Sequence, residues 1–507
     1  MNLPVWRASA IGDVLAVVLG ALLPLAFAPF DVWPLAILGL AALFGLWQGQ
    51  SPRRAAWRGG LFGLGWFGVG IYWVFISLHQ YGHAPVAFAV LATLALILAM
   101  ALYPAIMGYL LVRWAPRGDG LRWLMAAPAL WTVLEWVRSW LFSGFPWMAM
   151  GYSQISSPLS GFAPYFGVFG VGWAVAMSAG LLLMLFRAQG WRRLSVGLGA
   201  GVLWISAWML AQVVWVEPAG EPLRVSLIQG NISQDRKFEP EELDNTLRRY
   251  AEMSAQVTPD SDVIIWPETA IPMFYDDARE FVEQLEAYAH RTGVDYLIGI
   301  PTGSWTTRVF QNSVLSLGSS QGFYHKHRLL PFGEYLPLRQ LLSFFHNLVD
   351  IPLGDFTPGG KRQTLLRVAG QPVGVSICFE AVFGSEIRRT LPDARFLVNV
   401  SNDAWFGESL APYQHLQIAQ MRSLESGRYM ARATNTGISA FIDSHGRIVK
   451  HSPLFQAVAL TNPVQPLQGA TPYVRWGDRP VVILMALLLG LAGWVGRRGR
   501  HSRPTAP

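Results

Sequence analysis

Three residues in the second half of the chain have side chains that can carry out covalent catalysis together. Glu268, Lys326 and Cys378 each stand at or near the end of a short extended stretch. A thiol needs a base to remove its proton, and a nearby cation lowers its pKa. Main-chain N–H groups at a strand-to-helix turn after Cys378 would stabilise an oxyanion. The combination predicts a nucleophilic cysteine served by a carboxylate and an ammonium.

Each of these residues also has a simpler interpretation. An isolated cysteine is most often a small buried apolar residue, and an isolated lysine or glutamate usually lies on the surface. The histidines His325, His327 and His415 offer a Cys–His arrangement as another alternative. Because Cys378 is the only cysteine, an intrachain disulfide and a multi-cysteine metal site are excluded. No G-x-S-x-G motif, Walker loop or H-E-x-x-H motif occurs, which disfavours other enzyme classes.

The region around the three residues, 217–478, has the pattern of an α/β layered domain. Short β-rich runs alternate with helical patterns, and the length suffices for a separate core. Pro267 ends one strand, so Glu268 is expected on a loop at the sheet edge. Strands are predicted at residues 223–228, 262–266, 296–300, 312–317, 373–377, 396–400 and 438–442. Helices are predicted at residues 240–256, 277–292, 384–390 and 413–433, and a hairpin turn at 443–446.

The rest of the chain is far more apolar than a soluble protein. Of the 507 residues, 52% are hydrophobic and 14% are charged, whereas ordinary soluble proteins carry about 25% charged residues. A helix needs about 20 apolar residues to cross a bilayer, which predicts seven spans before residue 217 and one after residue 479. We place them at residues 11–28, 33–48, 60–78, 85–112, 123–142, 165–186, 195–216 and 480–496.

The arginines indicate how these spans are oriented. Arginine occurs before the first span, after the last, and in alternate loops at residues 53–58, 113–122 and 187–193, whereas the other short loops hold no Lys or Arg. By the positive-inside rule, both termini are cytoplasmic and residues 217–478 lie on the opposite side of the membrane. Residues 1–216 then form seven transmembrane helices, and residues 479–507 an eighth with a basic tail. Much of the net charge of +7 is therefore a topology signal and needs no nucleic-acid partner.

A few charged and small residues stand out within or near the predicted spans. Gly59 and Gly63 form a GxxxG pattern, which is typical of close helix packing. Asp13, Glu135 and Arg138 are costly within a bilayer, and the last two are spaced for pairing on one helix face. Glu135 and Arg138 form either a polar patch near the outer headgroups that faces the soluble domain or a structural ion pair, and both interpretations stay open.

The order and context of the catalytic candidates resemble the nitrilase, or carbon–nitrogen hydrolase, superfamily: Trp266-Pro-Glu268, then Lys326-His-Arg, then Cys378-Phe-Glu380. With seven spans before that domain and one after it, the whole chain resembles the apolipoprotein N-acyltransferase family. Segments that also fit are Gly144-Phe-Pro-Trp147, Gly151-Tyr-Ser-Gln154, Gln229-Gly-Asn231, Pro331-Phe-Gly-Glu334, Ser401-Asn-Asp, Thr434-Asn-Thr-Gly437 and Thr471-Pro-Tyr473. The resemblance implies an αββα sandwich inserted into a polytopic α-helical membrane protein with eight transmembrane helices.

The resemblance also implies roles for individual residues. Cys378 is the nucleophile, Glu268 the general base and acid, and Lys326 the group that stabilises the tetrahedral oxyanion. Glu334 and Glu380 correspond to further carboxylates that family members need around these three.

Phe379 is a further candidate for support of the active site, and several other positions are candidates for substrate binding. Phe238 and Phe379 stand where some members of the family have Trp and Tyr, so any role there rests on apolar packing or backbone contact. Asn312, Tyr335 and Trp405 are further candidates for substrate binding. Neither a cofactor nor a metal is expected.

The implied reaction moves an acyl chain from a membrane phospholipid to Cys378, and then to the α-amine of the diacylglyceryl-cysteine of an apolipoprotein. It takes place at the bacterial inner membrane with the catalytic domain in the periplasm. Because moving an acyl chain into water costs about 0.8 kcal/mol per CH₂, the site is expected to open onto the bilayer. Amphipathic spacing predicts a lipid-access arm that carries Leu338, Leu341, Leu342 and Phe345; a helix packed on the domain core is the alternative. The protein is expected to be a monomer.

Two other functions remain as alternatives. A membrane-tethered amidase or nitrilase that hydrolyses small C–N substrates would need the same catalytic groups, but one span would anchor it. A transporter or receptor with a degenerate sensor domain would not need them, and the intact Glu268, Lys326 and Cys378 weigh against it.

Overall fold

The computed structural model describes residues 10–116, 118–304, 306, 308–335 and 356–501. The chain divides into two compact units. One comprises the described parts of Met1–Tyr72, Val90–Val213 and Trp476–Pro507, and the other comprises those of Trp73–Ala89 and Val214–Arg475. The second unit thus includes a short segment that overlaps the end of the predicted span at 60–78 and the start of the one at 85–112.

The first unit is helical. Its main helices, some of which extend into the other unit, are Ala10–Leu22, Pro34–Trp47, Pro52–Gly70, Val86–Trp114, Ala127–Arg138, Ala163–Leu185, Gly190–Leu210 and Arg479–His501. Four helices among the described residues are long and apolar enough to cross a membrane, namely Val86–Trp114, Pro158–Leu185, Gly190–Leu210 and Arg479–Gly496. A fifth is added if the bent pair Pro52–Gly70 and Trp73–Tyr81 is one span. The predicted number of eight is therefore not confirmed.

The remaining predicted spans are short or interrupted. Ala10–Ala26 and Pro34–Trp47 are apolar but have fewer than 18 residues. Within the predicted span at 123–142, a π-helical turn, Arg122–Ala126, leads directly into the helix Ala127–Arg138, which ends before the predicted span does. Hydropathy alone detects the apolar character of such segments but not the points at which their helices end.

Small residues let the helices of this unit approach closely, as the GxxxG pattern predicts. A Cβ added at Gly20 would lie 2.0 Å from the main-chain oxygen of Phe62, and one added at Gly59 would lie 2.2 Å from that of Pro104. Either Cβ would overlap with backbone. Contacts of this kind give helices in lipid van der Waals packing in the absence of a hydrophobic driving force.

Glu135 and Arg138 have the contacts of a structural ion pair. Both side chains are buried, and Glu135 Oε1 lies 3.7 Å from Arg138 Nη2. Glu135 accepts a hydrogen bond from the main-chain N–H of Met150, and Arg138 donates to the carbonyls of Phe145 and Trp147. The pair therefore fastens the irregular segment that follows its own helix.

The second unit contains two six-stranded mixed sheets. In chain order the strands are β1 Val216–Pro218, β2 Leu223–Gln229, β3 Val263–Ile265, β4 Asp295–Ser304, β5 Val309–Leu317, β6 Gly322–His325, β7 Leu366–Val368, β8 Gln371–Ile377, β9 Phe396–Ser401, β10 Met430–Thr434, β11 Ala440–Ile442, β12 Ile448–His451, β13 Val458–Val464 and β14 Leu467–Gly469. The sheet orders are β13-β2-β3-β4-β5-β6 and β12-β11-β10-β9-β8-β7, and β1 pairs with β14. The neighbours β2, β3 and β4 are parallel, as are β8, β9 and β10.

Helices cover a face of each sheet. Pro240–Val257 and Arg279–Thr292 pack on the first sheet through Leu247, Tyr250 and Val282, which join Ile264 and Trp266 in one apolar cluster. The helix Ala411–Ser426 packs on the second sheet. Its Leu416 and Ala419 contact a cluster formed by Leu397, Met430 and Ile442. The alternating sequence pattern thus gives the layered α/β domain that was predicted.

The predicted strands all occur, but one predicted helix is too long. The helix predicted at 413–433 ends at Ser426, because Gly427 adopts a left-handed conformation (φ 64°) that caps it. Residues 430–434 then form β10 between β9 and β11. The predicted helix at 384–390 consists of two short turns, Gly384–Ile387 and Arg388–Thr390. The hairpin turn at 443–446 joins β11 to β12, as expected.

Candidate active site

The ends of parallel strands bring the catalytic candidates to one edge of the domain. Glu268 follows β3, and Cys378 directly follows β8. Asn402 comes after β9, the parallel neighbour of β8. β3 and β8 belong to different sheets, and the hydrogen bond from the main-chain N–H of Asn402 to Glu268 shows that their carboxyl ends lie close together. The carboxyl ends of parallel strands are where α/β proteins usually bind ligands.

Glu268 lies on a loop just beyond β3, as Pro267 predicts, and the neighbouring strand passes close to it. A Cβ added at Gly299 of β4 would lie 2.7 Å from the Cα of Glu268 and 2.2 Å from the carbonyl oxygen of Pro267. Only glycine fits there without displacing the loop. The side chain of Glu268 is 8% exposed, so its carboxylate is nearly removed from solvent.

The carboxylate of Glu268 is held by three polar groups. Its Oε1 accepts a hydrogen bond from Asn312 Nδ2 at 2.7 Å and lies 3.6 Å from Lys326 Nζ. Its Oε2 accepts a hydrogen bond from the main-chain N–H of Asn402 at 2.8 Å. These contacts orient the carboxylate without neutralising it, which suits a group that must accept and return a proton.

Lys326 lies between Glu268 and Glu334. Its main-chain N–H bonds to the carbonyl of Asn312 on β5, which continues the pairing of β5 with β6 by one residue. Its ammonium lies 2.8 Å from Glu334 Oε1, and the residue is 1% exposed. Burial lowers the pKa of Lys326, but the charges of Glu334 and Glu268 together raise it above its ordinary value. Lys326 is therefore a fixed cation at neutral pH.

Asn312 links the two carboxylates. Its Nδ2 donates to Oε1 of Glu268 and also, at 3.0 Å, to Oε1 of Glu334. Its Oδ1 is buried and has no hydrogen-bond partner among the described residues. An unsatisfied buried acceptor costs about 1–3 kcal/mol. This oxygen is therefore ready to accept a hydrogen bond from a substrate N–H.

Cys378 is the first residue of a short 3₁₀ helix, Cys378–Val382, and its backbone has φ 49°. This left-handed conformation is strained for a residue with a side chain. Such a conformation is kept only where the surroundings hold it, and it is frequent in active sites. Exposure of the residue is 9%, so the thiol is largely removed from solvent.

The thiol of Cys378 is not a preformed thiolate. Burial raises its pKa above the ordinary value, and the negative charge of Glu268 raises it further, whereas Lys326 lowers it. Desolvation outweighs the cation, so Lys326 does not generate the thiolate as the sequence suggested. The proton must leave during attack, which requires a base close to Cys378.

Glu380 supports the loops that carry Lys326 and Cys378. It is fully buried and accepts hydrogen bonds from the main-chain N–H groups of Ile377, His327 and Arg328 and from the hydroxyl of Tyr324. Burial raises the pKa of Glu380 to about 7, although the main-chain donors favour the carboxylate. The residue joins two segments that are about 50 positions apart in sequence.

His415 contacts the backbone of the nucleophile. Its Nε2 lies 3.3 Å from the carbonyl oxygen of Cys378, to which it donates when it carries the proton. Burial and the charge of Arg432 lower the pKa of His415, which favours the neutral ring. Its Nδ1 lies 3.0 Å from both a carboxylate oxygen of Asp403 and a guanidinium nitrogen of Arg432, and these two residues pair with each other at 2.7 Å. His415, held by Arg432 and Asp403, thus contacts and supports the strained backbone of Cys378.

The alternative histidines and Phe379 make the following contacts. His325 bonds to Ser313, and His327 pairs with Glu386. Phe379 packs edge-on against Phe383.

Three of the substrate-binding candidates are half-buried: Phe238, Tyr335 and Trp405. The carbonyl of Trp405 accepts a hydrogen bond from Ser77, which belongs to this unit although it lies within the predicted span at 60–78. The predicted lipid-access arm, with Leu338, Leu341, Leu342 and Phe345, lies outside the described residues.

Sequence reasoning missed Asn402, His415 as a support of the backbone, and Lys237. Asn402 could have been found, because it directly follows a strand that was predicted correctly. Lys237 is 2% exposed, and its ammonium donates to the main-chain oxygen of Glu268 at 3.2 Å. Nothing in the polar run around Lys237 indicates that it is buried.

Comparison with known proteins gives matches over nearly the whole chain. Residues 19–181 match the family described as the apolipoprotein N-acyltransferase N-terminal domain, and residues 224–466 match the carbon-nitrogen hydrolase family. A relative from Methylococcus capsulatus named apolipoprotein N-acyltransferase is 48% identical over 490 residues, which are 96% of this chain and 97% of the relative. Relatives of the same name from Nitrosomonas europaea and Azotobacter vinelandii are 44% and 42% identical. The first match covers 96% of this chain and 98% of the relative, and the second covers 97% and 96%.

Proposed function

Because the chain belongs to the apolipoprotein N-acyltransferase family, it is an acyltransferase of lipoprotein maturation, and we propose that Cys378 carries the acyl group between the two substrates. The observation that supports this most directly is the buried contact of Glu268 and Lys326 beside a buried thiol. The donor is a membrane phospholipid, and the acceptor is the α-amine of a diacylglyceryl-cysteine at the N-terminus of an apolipoprotein.

In the first half-reaction Glu268 takes the proton of Cys378 as Sγ attacks the ester carbonyl of the phospholipid. The oxyanion that forms is stabilised by Lys326 and by a main-chain N–H near Phe379. When the tetrahedral intermediate collapses, Glu268 gives its proton to the departing lysophospholipid alkoxide. The product is a thioester on Cys378, and Glu268 is again a carboxylate.

In the second half-reaction the acceptor amine attacks the thioester. Glu268 takes a proton from the amine, Lys326 again stabilises the oxyanion, and Cys378 leaves as a thiol after receiving that proton. The buried Oδ1 of Asn312 is placed to accept a hydrogen bond from the second N–H of the amine, because Asn312 already bonds to Glu268. The product is an amide on the lipoprotein.

The burial of the three catalytic candidates supports acyl transfer over hydrolysis. Cys378, Glu268 and Lys326 are each at least nine-tenths buried. A thioester that waits for an amine must be shielded from water. An amidase that acts on small C–N substrates has to admit water to complete its cycle. The sequence similarity to N-acyltransferases over nearly the full chain also does not favour an amidase.

Membrane placement completes the proposal. The helices that are long enough to cross a bilayer support insertion. Eight spans in the bacterial inner membrane, with cytoplasmic termini and a periplasmic catalytic domain, agree with the distribution of arginines. The short and interrupted apolar helices would then complete the spans as pairs or half-spans. The enzyme draws its acyl donor from the bilayer that holds it.

The proposed function is tested by reconstitution into vesicles. The protein is mixed with phospholipid labelled in its acyl chains and with a diacylglyceryl-cysteinyl peptide. We expect label to pass to the peptide amine, and we expect Cys378→Ala to abolish this transfer. Release of ammonia from small amides, with no labelled peptide, would support the amidase instead and overturn the proposal.

A further inference from the structure

Lys237 is a second buried lysine beside Glu268, and the proposed mechanism does not use it. It lies in the turn between β2 and the helix Pro240–Val257, and it is 2% exposed. Its ammonium donates to the main-chain oxygen of Glu268 at 3.2 Å, and no other hydrogen-bond partner occurs among the described residues. A buried ammonium with a single acceptor is costly, so its position needs a reason.

The turn that carries Lys237 contacts Glu268 by two routes. Lys237 holds its carbonyl, and Gln234 accepts a hydrogen bond from the side chain of Asn402, whose main-chain N–H donates to the carboxylate of Glu268. The charge of Glu268 in turn raises the pKa of Lys237 against the effect of burial, which lowers it to about 8. The ammonium therefore stays mostly charged at neutral pH, next to the proposed base.

The charges of the site are unbalanced without this lysine. Glu268 and Glu334 are two carboxylates that share one cation, Lys326. Other charged groups nearby are occupied elsewhere among the described residues: Asp403 pairs with Arg432, Glu386 with His327 and Arg389, and Glu380 accepts main-chain N–H groups. An excess negative charge in a buried site raises the pKa of a carboxylic acid and opposes formation of an oxyanion.

We propose that Lys237 is a positioning residue that supplies the fourth charge of the active site and keeps Glu268 in its carboxylate form. This inference rests on the proposed role of Glu268 as the base for Cys378. Lys326 can then stabilise the oxyanion. The ammonium of Lys237, which is bound to the main-chain carbonyl of Glu268, offsets the negative charge of the base.

The test is the pH dependence of thioester formation in the full-length protein, measured with labelled phospholipid in vesicles. Lys237→Met removes the charge and keeps the length of the side chain. We expect the acid limb of its rate profile to move upward by about one pH unit, since a nearby opposite charge lowers a carboxyl pKa by about 1–3 units. On the acid side of the limb this gives up to roughly a tenfold loss of rate, which shrinks as the pH rises above the limb. Lys237→Arg is expected to restore the wild-type limb.

A matched control is Lys450→Met. Lys450 also donates to a main-chain carbonyl, that of Thr461 at 3.0 Å, but the contact is exposed and belongs to β12 and β13. If Lys237→Met lowers the rate equally at every pH, its role is structural and the inference is wrong. If wild-type protein forms no thioester at any pH, the proposed function itself fails, which is a different result.

Discussion

Lys326 is bound more closely to Glu334 than to Glu268: its ammonium lies 2.8 Å from the first carboxylate and 3.6 Å from the second. The stronger ion pair thus involves the glutamate that has no proton to transfer. Glu334 is itself fixed by the main-chain N–H of Leu330 at 2.7 Å. This arrangement anchors the cation while it leaves the base free to change its protonation state.

Glu334→Gln should therefore impair catalysis without touching the nucleophile or the base. The amide keeps the shape of the side chain but removes the charge that holds Lys326, so the ammonium is expected to move toward Glu268 and neutralise it. We expect acyl transfer to fall at least tenfold, about 1.4 kcal/mol of transition-state stabilisation. Initial rates with labelled phospholipid measure this. Glu386→Gln, another buried glutamate that pairs with His327 and Arg389, is the control and should retain activity.

Alkylation of Cys378 should show that its thiol is protonated at rest. Because burial and Glu268 raise its pKa, reaction with iodoacetamide is expected to be slow at pH 7 and to accelerate as the pH rises beyond 9. Cys378 is the only cysteine, so total alkylation reports this site alone. A rate that is already maximal at pH 6 would mean a preformed thiolate and would contradict the general-base mechanism.

His415→Ala should weaken the support of the nucleophile. The carbonyl of Cys378 loses its donor, and the strained backbone at φ 49° loses a contact that holds it. We expect a loss of stability of about 1–3 kcal/mol from the buried unsatisfied groups, together with slower thioester formation. Unfolding in detergent and the acylation rate measure the two effects. His445→Ala, at an exposed hairpin turn, is the control. If acylation by His415→Ala is unchanged, the histidine is merely a packed core residue.

Glu380 should give the domain a pH-dependent stability. Its pKa of about 7 in the folded protein lies above the value of about 4.3 expected when unfolded. The native state then holds a proton that the unfolded state has lost, so stability falls as the pH rises from about 4.3 to 7. The full effect is about 4 kcal/mol at about 1.36 kcal/mol per pKa unit. Glu380→Gln should be less stable at pH 5, because one amide oxygen cannot accept every N–H, but its stability should vary less with pH. If the stability of both proteins changed equally with pH, Glu380 would have to be ionised over the whole pH range.

The positions of Glu268 and Cys378 are predictable from sequence because each follows an apolar strand. Strands of this kind are buried runs with clear ends, and α/β proteins usually bind ligands beyond the carboxyl ends of parallel strands. Pro267 and the change of pattern at Cys378 mark those ends. Family resemblance supplied the roles, which the spacing alone left open.

The partners of these residues were not predictable, because they depend on tertiary contacts. Lys237 lies in a turn whose polar sequence is typical of the protein surface. The fold nevertheless buries it against a loop that is more than 30 residues away in sequence. The missed strand β10 is a different case, since the left-handed Gly427 that ends the preceding helix is visible in the sequence as a capping signal. Hydropathy likewise finds apolar segments but not the points at which their helices end, such as Arg138 within the predicted span at 123–142.

The proposed role of Cys378 as carrier of the acyl group can be measured as the intact mass of the purified protein after incubation with a phospholipid of defined acyl chains and no acceptor. We expect one added acyl group on Cys378, which hydroxylamine releases and which disappears on addition of a diacylglyceryl-cysteinyl peptide, and no addition to Cys378→Ala. An active protein whose mass never changes, or an acyl group that persists in Cys378→Ala, would contradict it.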